Sequence, residues 1–164
     1  MSNDSLMLYH GTDSKIQNPD LQKCNVHRDF GRAFYLSYNK GLAKDWATKK
    51  SPTHAKINDY GIILNNIEDG NLKIRRFIAD ETWAKFVYDN RTNAKFTRPD
   101  YDIIIGPIAD NTLQEWFNKI DEEGLSFSKI ATQIQYKKFK DNQFAFCSAK
   151  SLKLLKWVGC HDCK

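Results

Sequence analysis

The run Leu6-Met7-Leu8-Tyr9 is stopped by His10-Gly11-Thr12, and a second run, Ala33-Phe34-Tyr35-Leu36-Ser37, follows Asp29-Phe30-Gly31-Arg32. Each apolar stretch has the length of a strand and is too short for a core helix. Asn18-Pro19-Asp20 and Asp29-Phe30-Gly31 punctuate the loop between them. The first forty residues are therefore committed to two strands whose ends carry polar and aromatic side chains beside glycine.

Further along, Asn39 caps a helix with Leu42, Ala43, Trp46 and Ala47 on one face. Strands are expected at Gly61–Leu64 and Leu72–Phe77, and a helix capped by Asp80 carries Trp83, Phe86 and Val87. Tyr101–Ile105 reads as a buried strand ended by Gly106-Pro107. Leu113, Trp116, Phe117 and Ile120 follow the i, i+3, i+4, i+7 rule of a helix. A helix from Ser128 to about Phe139, a strand at Gln143–Cys147, a Lys-rich helical turn and a strand at Leu154–Val158 complete the pattern. The alternation is too irregular for a doubly wound parallel sheet, and neither G-x-G-x-x-G nor a P-loop is present. The expected class is α+β with a mainly antiparallel core. Residues 1–158 read as a single domain and 159–164 as a frayed C-terminal tail.

At 164 residues, with 41% hydrophobic content, four Trp and ten Phe, the chain can bury about two thirds of its unfolded surface. The net charge of +5 favours an anionic partner. No apolar run approaches a membrane span, and residues 1–5 lack the basic run of a signal peptide, so a cytoplasmic location is expected. The cysteines, Cys24, Cys147, Cys160 and Cys163, are expected as free thiols. Zinc at Cys160/Cys163 with Cys24/His27 is the minor alternative, and no metal is expected.

The chemistry starts at His10-Gly11. A bare glycine peptide offers one N–H and one C=O, which together match the acceptor and donor of a single carboxamide, and the imidazole beside it can bond a sugar hydroxyl. Tyr35 offers a ring face and a hydroxyl. Asn90-Arg91 offers a guanidinium fork suited to pyrophosphate, or to a helix end. Taken singly, the His-Gly and Phe-Tyr-Leu motifs read more readily as a turn and a core position.

Tyr9-His10-Gly11-Thr12, Asp29–Tyr35, the Ala43/Trp46-Ala47 helix, Asn90-Arg91, Tyr101–Asp110 and Asn142–Phe146 together resemble the bacterial domain-of-unknown-function family 3990, within the ADP-ribosyltransferase clan. That resemblance implies a split pair of small β-sheets with NAD, the substrate, between them. It implies His10 on the adenosine-side ribose, the Gly11 backbone on the nicotinamide amide, and Tyr35 stacked on the nicotinamide ring. Thr12, Arg32 and Arg91 would also contact NAD. The third position of the clan's His-Tyr-Glu set, a glutamate holding the 2′-OH of the nicotinamide ribose, is Gln143 here.

Glycosidic cleavage passes through an oxocarbenium-like transition state that a carboxylate stabilises, and glutamine carries no charge. Asp110 is the first candidate for the missing carboxylate and Asp141 the second; each also reads as a cap or turn residue. By the same resemblance, Tyr136, Lys137, Lys138, Phe139 and Lys140 approach the acceptor. Basic and aromatic residues interleaved in this way suit nucleic acid, RNA ahead of DNA, with protein as the other acceptor. The expected function is a toxin-like mono-ADP-ribosyltransferase, which implies a neutralising antitoxin or immunity protein. The alternatives are an NAD glycohydrolase and an inactive NAD- or nucleic-acid-binding module.

Overall fold

The unbroken apolar run Leu6–Tyr9 forms a strand, and the computed structural model, which describes residues 4–69 and 71–163, pairs that strand along its whole length. The elements are β1 (Ser5–Thr12), a 3-10 turn (Leu21–Lys23), β2 (Phe34–Leu36), α1 (Lys40–Lys50), β3 (Lys56–Ile63), α2 (Leu64–Asp69) and β4 (Ile74–Arg76). They continue with α3 (Glu81–Thr92), β5 (Ile103–Gly106), α4 (Leu113–Glu123), α5 (Phe127–Ile134), β6 (Gln143–Phe146), α6 (Ala149–Leu152) and β7 (Lys156–Asp162).

Two sheets result. The first has the order β1-β3-β7 and is antiparallel; the second has the order β2-β6-β5-β4, antiparallel except for the β4–β5 pair. This is the α+β architecture expected from sequence. Among the described residues the backbones of the two sheets join at a bridge in which Tyr9 N–H donates to Ser37 O at 2.7 Å and Ser37 N–H donates to Tyr9 O at 3.0 Å.

The second sheet is covered on both sides, which explains the unbroken apolar run of β5. On one face Tyr35, Ile104 and Ala145 pack with Trp83 and Val87 of α3, Phe117 of α4 and Ile130 and Ile134 of α5. On the other, Phe34, Leu36, Ile103, Ile105 and Phe146 meet Leu8, Tyr60 and Ile62 of the first sheet. Asn39 and Asp80 cap α1 and α3 by accepting from Leu42 and Trp83 N–H, as expected. Gly124, at φ 68°, ends α4 in the left-handed conformation. Among the described residues no helix is long and apolar enough to cross a membrane.

Several boundaries differ from expectation. β3 begins at Lys56, and Leu64 opens α2 instead of ending the strand. β4 is only three residues long. α5 stops at Ile134 because Gln135 turns extended and bridges Ala109, so 135–139 is not helical. Residues 159–162, expected as a frayed tail, form the second half of β7 on the β3 edge, and Cys163 N–H donates to Ala55 O at 2.9 Å.

Candidate active site

β1 does not end at His10: it continues through Gly11 to Thr12, paired with β3. Nor does Gly11 adopt a positive φ. Glycine is required here because α1 crosses directly above it; an added Cβ would lie 1.8 Å from Ala43 O and 2.9 Å from Ala47 N.

The edge of β1 that faces β2 carries the main-chain groups beside His10. In an antiparallel strand, alternate residues direct their N–H and C=O to the same side. Tyr9 points both groups at Ser37, so Gly11 directs its own pair to the same edge, opposite Tyr35. A continuing ladder would join Gly11 N–H to Tyr35 O. Instead His10 Nδ1 takes that carbonyl at 2.6 Å. The imidazole lies between the two strands as a wedge would, stacked on Phe34 with centroids 4.1 Å apart, and among the described residues no β1–β2 bridge is found beyond Tyr9–Ser37.

A carbonyl oxygen only accepts, so Nδ1 carries the proton and Nε2 is left as an acceptor. Burial lowers the His10 pKa to about 4; the Tyr35 carbonyl raises it, and the Lys50 and Arg28 charges lower it further. The ring is neutral at pH 7. Lys50 Nζ donates to the buried Thr12 Oγ1 at 3.2 Å and pairs with Asp13 at 3.4 Å. The Arg28 guanidinium lies 6.0 Å from the Tyr35 ring centroid. Neither cation stood out from sequence. Arg32, expected at the cofactor, is exposed, and its carbonyl accepts from Arg98.

Tyr35 corrects the expectation of an open stacking face. It is 8% exposed, and its ring lies in the helix-covered core. Its hydroxyl donates to Gly31 O at 2.7 Å and accepts from Phe30 N–H at 3.0 Å, and burial pushes the phenol well above its usual pKa. What it gives the gap is its main-chain oxygen. The loop it holds turns at Gly31, φ 81°, and is clamped again by Arg98, which donates to Phe30 O and Arg32 O.

That loop delivers a carboxylate to Gln143. Asp29, 4% exposed, accepts through Oδ1 from Arg91 Nε at 2.7 Å and Nη2 at 2.5 Å. Its Oδ2 accepts from Ala109 N–H at 3.0 Å and from Gln143 Nε2 at 2.9 Å. Gln143 is equally buried, and its Nε2 also donates to Pro107 O at 3.1 Å. Arg91 is thus engaged by Asp29, not held free for pyrophosphate. Asp110 accepts from Thr112 N–H at 3.2 Å as a turn residue ahead of α4. Asp141 accepts from Tyr38 Oη at 2.8 Å and Asn39 Nδ2 at 2.5 Å. The carboxylate beside Gln143 is Asp29, which the sequence showed only as part of a charged loop.

Residues 136–141 run as a strap antiparallel to α1. Tyr136 Oη and Lys138 Nζ reach Asp45 at 3.4 and 2.7 Å, and Phe139 lies over Gly41. Lys137, Lys138 and Lys140 are exposed, whereas Tyr136 and Phe139 are half-buried beneath Lys49 and Lys138. Among the described residues no three His, Cys, Asp or Glu side chains gather as a metal site. Two open grooves of about 420 Å³ lie elsewhere, one at Phe77, Phe86 and Phe96 and one between Lys40, Lys44 and His161.

No curated protein matches this chain, and no solved structure does. A family model does match, over residues 6–157, and the chain belongs to that family, described as "Protein of unknown function (DUF3990)".

Proposed function

We propose that this chain is a toxin-like mono-ADP-ribosyltransferase of the ADP-ribosyltransferase clan, which binds NAD where its two sheets part and transfers ADP-ribose to a macromolecule. The observation that carries the reading is the His10 wedge. By taking the Tyr35 carbonyl it leaves the Gly11 N–H and C=O directed into the gap, a donor–acceptor pair complementary to one nicotinamide carboxamide. His10 Nε2 is the acceptor for a ribose hydroxyl, and Lys50 and Arg28 suit the pyrophosphate. Cleavage breaks the bond between C1′ and the nicotinamide nitrogen. Nicotinamide leaves as a neutral molecule, and an acceptor nucleophile adds to C1′ and gives up its proton. Gln143 would orient the ribose 2′-OH. The exposed lysines of the strap favour RNA over protein as acceptor. A neutralising antitoxin or immunity protein belongs to this reading.

A second reading, an NAD- or nucleic-acid-binding module without turnover, is favoured by one observation: the group at position 143 is an amide engaged by Asp29. The test is incubation with NAD labelled in its adenylate phosphate, alone and with RNA, DNA or lysate protein, following nicotinamide and label together. Label on one polymer supports the transferase and identifies the acceptor class. Free ADP-ribose would replace it with a glycohydrolase, and NAD binding without nicotinamide release would replace it with the binding module.

A further inference from the structure

Gln143 is a position where amide orientation can be assigned from chemistry alone. Both groups that contact Nε2, the Asp29 carboxylate and the Pro107 carbonyl, are acceptors, so both amide protons are committed inward. Oε1 is then the one polar atom of this side chain left to meet a ligand, and it can only accept. Asp29 in turn is saturated by four donors and is oriented, with Arg91 on Oδ1 and Gln143 on Oδ2. The negative end of the ion pair faces the amide.

A glutamate at 143 would place a second carboxylate about 3 Å from the first and against a carbonyl, and two such groups cannot both ionise. The glutamine is therefore the complement of Asp29, not a lost glutamate. We propose that Asp29, held by Arg91, is the positioning residue of this site: it fixes Gln143 with Oε1 presented to the ribose 2′-OH and brings negative charge behind that contact. This rests on the reading of the site as an NAD-cleaving centre.

The test uses the whole chain, NAD as probe, and the variants Asp29→Asn, Gln143→Glu and the double variant. Two readouts are taken, the melting midpoint across pH and the kcat and KM of nicotinamide release. Gln143→Glu is expected to melt below wild type at about pH 8 and to regain the difference towards about pH 5, as the carboxylate pair takes up a proton. The double variant, in which the asparagine amide at position 29 can donate to the new carboxylate, recovers part of the loss at neutral pH. Asp29→Asn lowers kcat by about tenfold or more with KM changed less than about threefold, because the orienting contact matters most in the transition state.

A Gln143→Glu melting profile parallel to wild type overturns the coupling, and does so even where Asp29→Asn fails to fold. A folded Asp29→Asn with wild-type kcat overturns the positioning role. Wild-type protein that neither binds nor cleaves NAD, with the pH-dependent melting coupling intact, overturns the reading of the site and with it the role of Asp29 towards a ligand.

Discussion

The Nδ1 of His10 stands 2.6 Å from the carbonyl oxygen of Tyr35, in the place that the Gly11 amide would occupy if β1 and β2 continued as one ladder. Among the described residues the bridging between β1 and the β2 chain stops at Tyr9–Ser37, and the His10 ring takes the next carbonyl along. Its removal should be felt by the backbone first. In His10→Ala the Tyr35 carbonyl is released and Gly11 N–H can bond it. The Gly11 amide is expected to exchange more slowly in the variant than in the wild type, and nicotinamide release to be lost. Hydrogen exchange read residue by residue checks the first expectation. Faster or unchanged exchange at Gly11 would show that His10 does not hold the sheets apart.

The same contact has a pH signature. His10 titrates at about 4 in the folded chain against an ordinary 6.5, so the unfolded chain binds the extra proton between those values. Stability from this group is complete above about pH 6.5 and is lost as pH falls towards 4. The full span corresponds to at most about 3 kcal/mol, at 1.36 kcal/mol per pH unit. Urea melts at about pH 4.5 and 7 should show a smaller difference in His10→Gln than in wild type. An identical difference in both would place the acid sensitivity elsewhere.

Gly11→Ala tests why a glycine stands there. The new methyl would meet the Ala43 carbonyl oxygen at 1.8 Å, and both neighbours are backbone, so α1 must shift away from β1. Overpacking of this kind costs about 1–3 kcal/mol or more. A melting midpoint equal to wild type would mean that α1 does not sit so close.

The elements with local causes were legible: the Asn39 and Asp80 caps and the helical spacing from Leu113 appear as read, and the buried strand read at Tyr101–Ile105 appears at Ile103–Gly106. What escaped depended on distant partners. The strand read at Leu154–Val158 runs on through Gly159 to Asp162, although Val158 is 58% exposed, because β3 offers an edge to pair with. α5 ends where Gln135 finds Ala109. Asp29 was invisible as a site because its partners lie 62, 80 and 114 residues away, and no local pattern signals a buried carboxylate. His10 was read from its place beside Gly11 and Gln143 from the resemblance, and the contacts they make, with Tyr35 O and with Asp29, are tertiary.

Tyr35→Phe separates ring from hydroxyl. The phenol satisfies Phe30 N–H and Gly31 O inside a buried loop, and its loss strands that donor at about 1–3 kcal/mol. The His10 contact is to the main chain and survives. Chemical melts should show the destabilisation, with NAD affinity within about threefold of wild type because the main-chain contact is kept. A large loss of affinity in a folded variant would return the ring hydroxyl to the ligand site.

On the proposed function, the strap lysines test acceptor binding apart from NAD cleavage. Lys137 and Lys140 are exposed, and Lys138 pairs with Asp45 at the surface, where solvent screens the contact. Replacing all three by glutamate reverses the charge along one edge of α1 while leaving Tyr136 and Phe139 in their seats against it. The melting midpoint is expected to change little. Labelling of an RNA acceptor should fall by about tenfold or more and become less dependent on salt, since fewer phosphates are neutralised. Nicotinamide release in the absence of acceptor should be preserved, because none of the three residues touches His10, Gly11 or Gln143. Equal loss of both reactions would place the lysines at the NAD gap. Unchanged labelling would move the acceptor to another face of the chain.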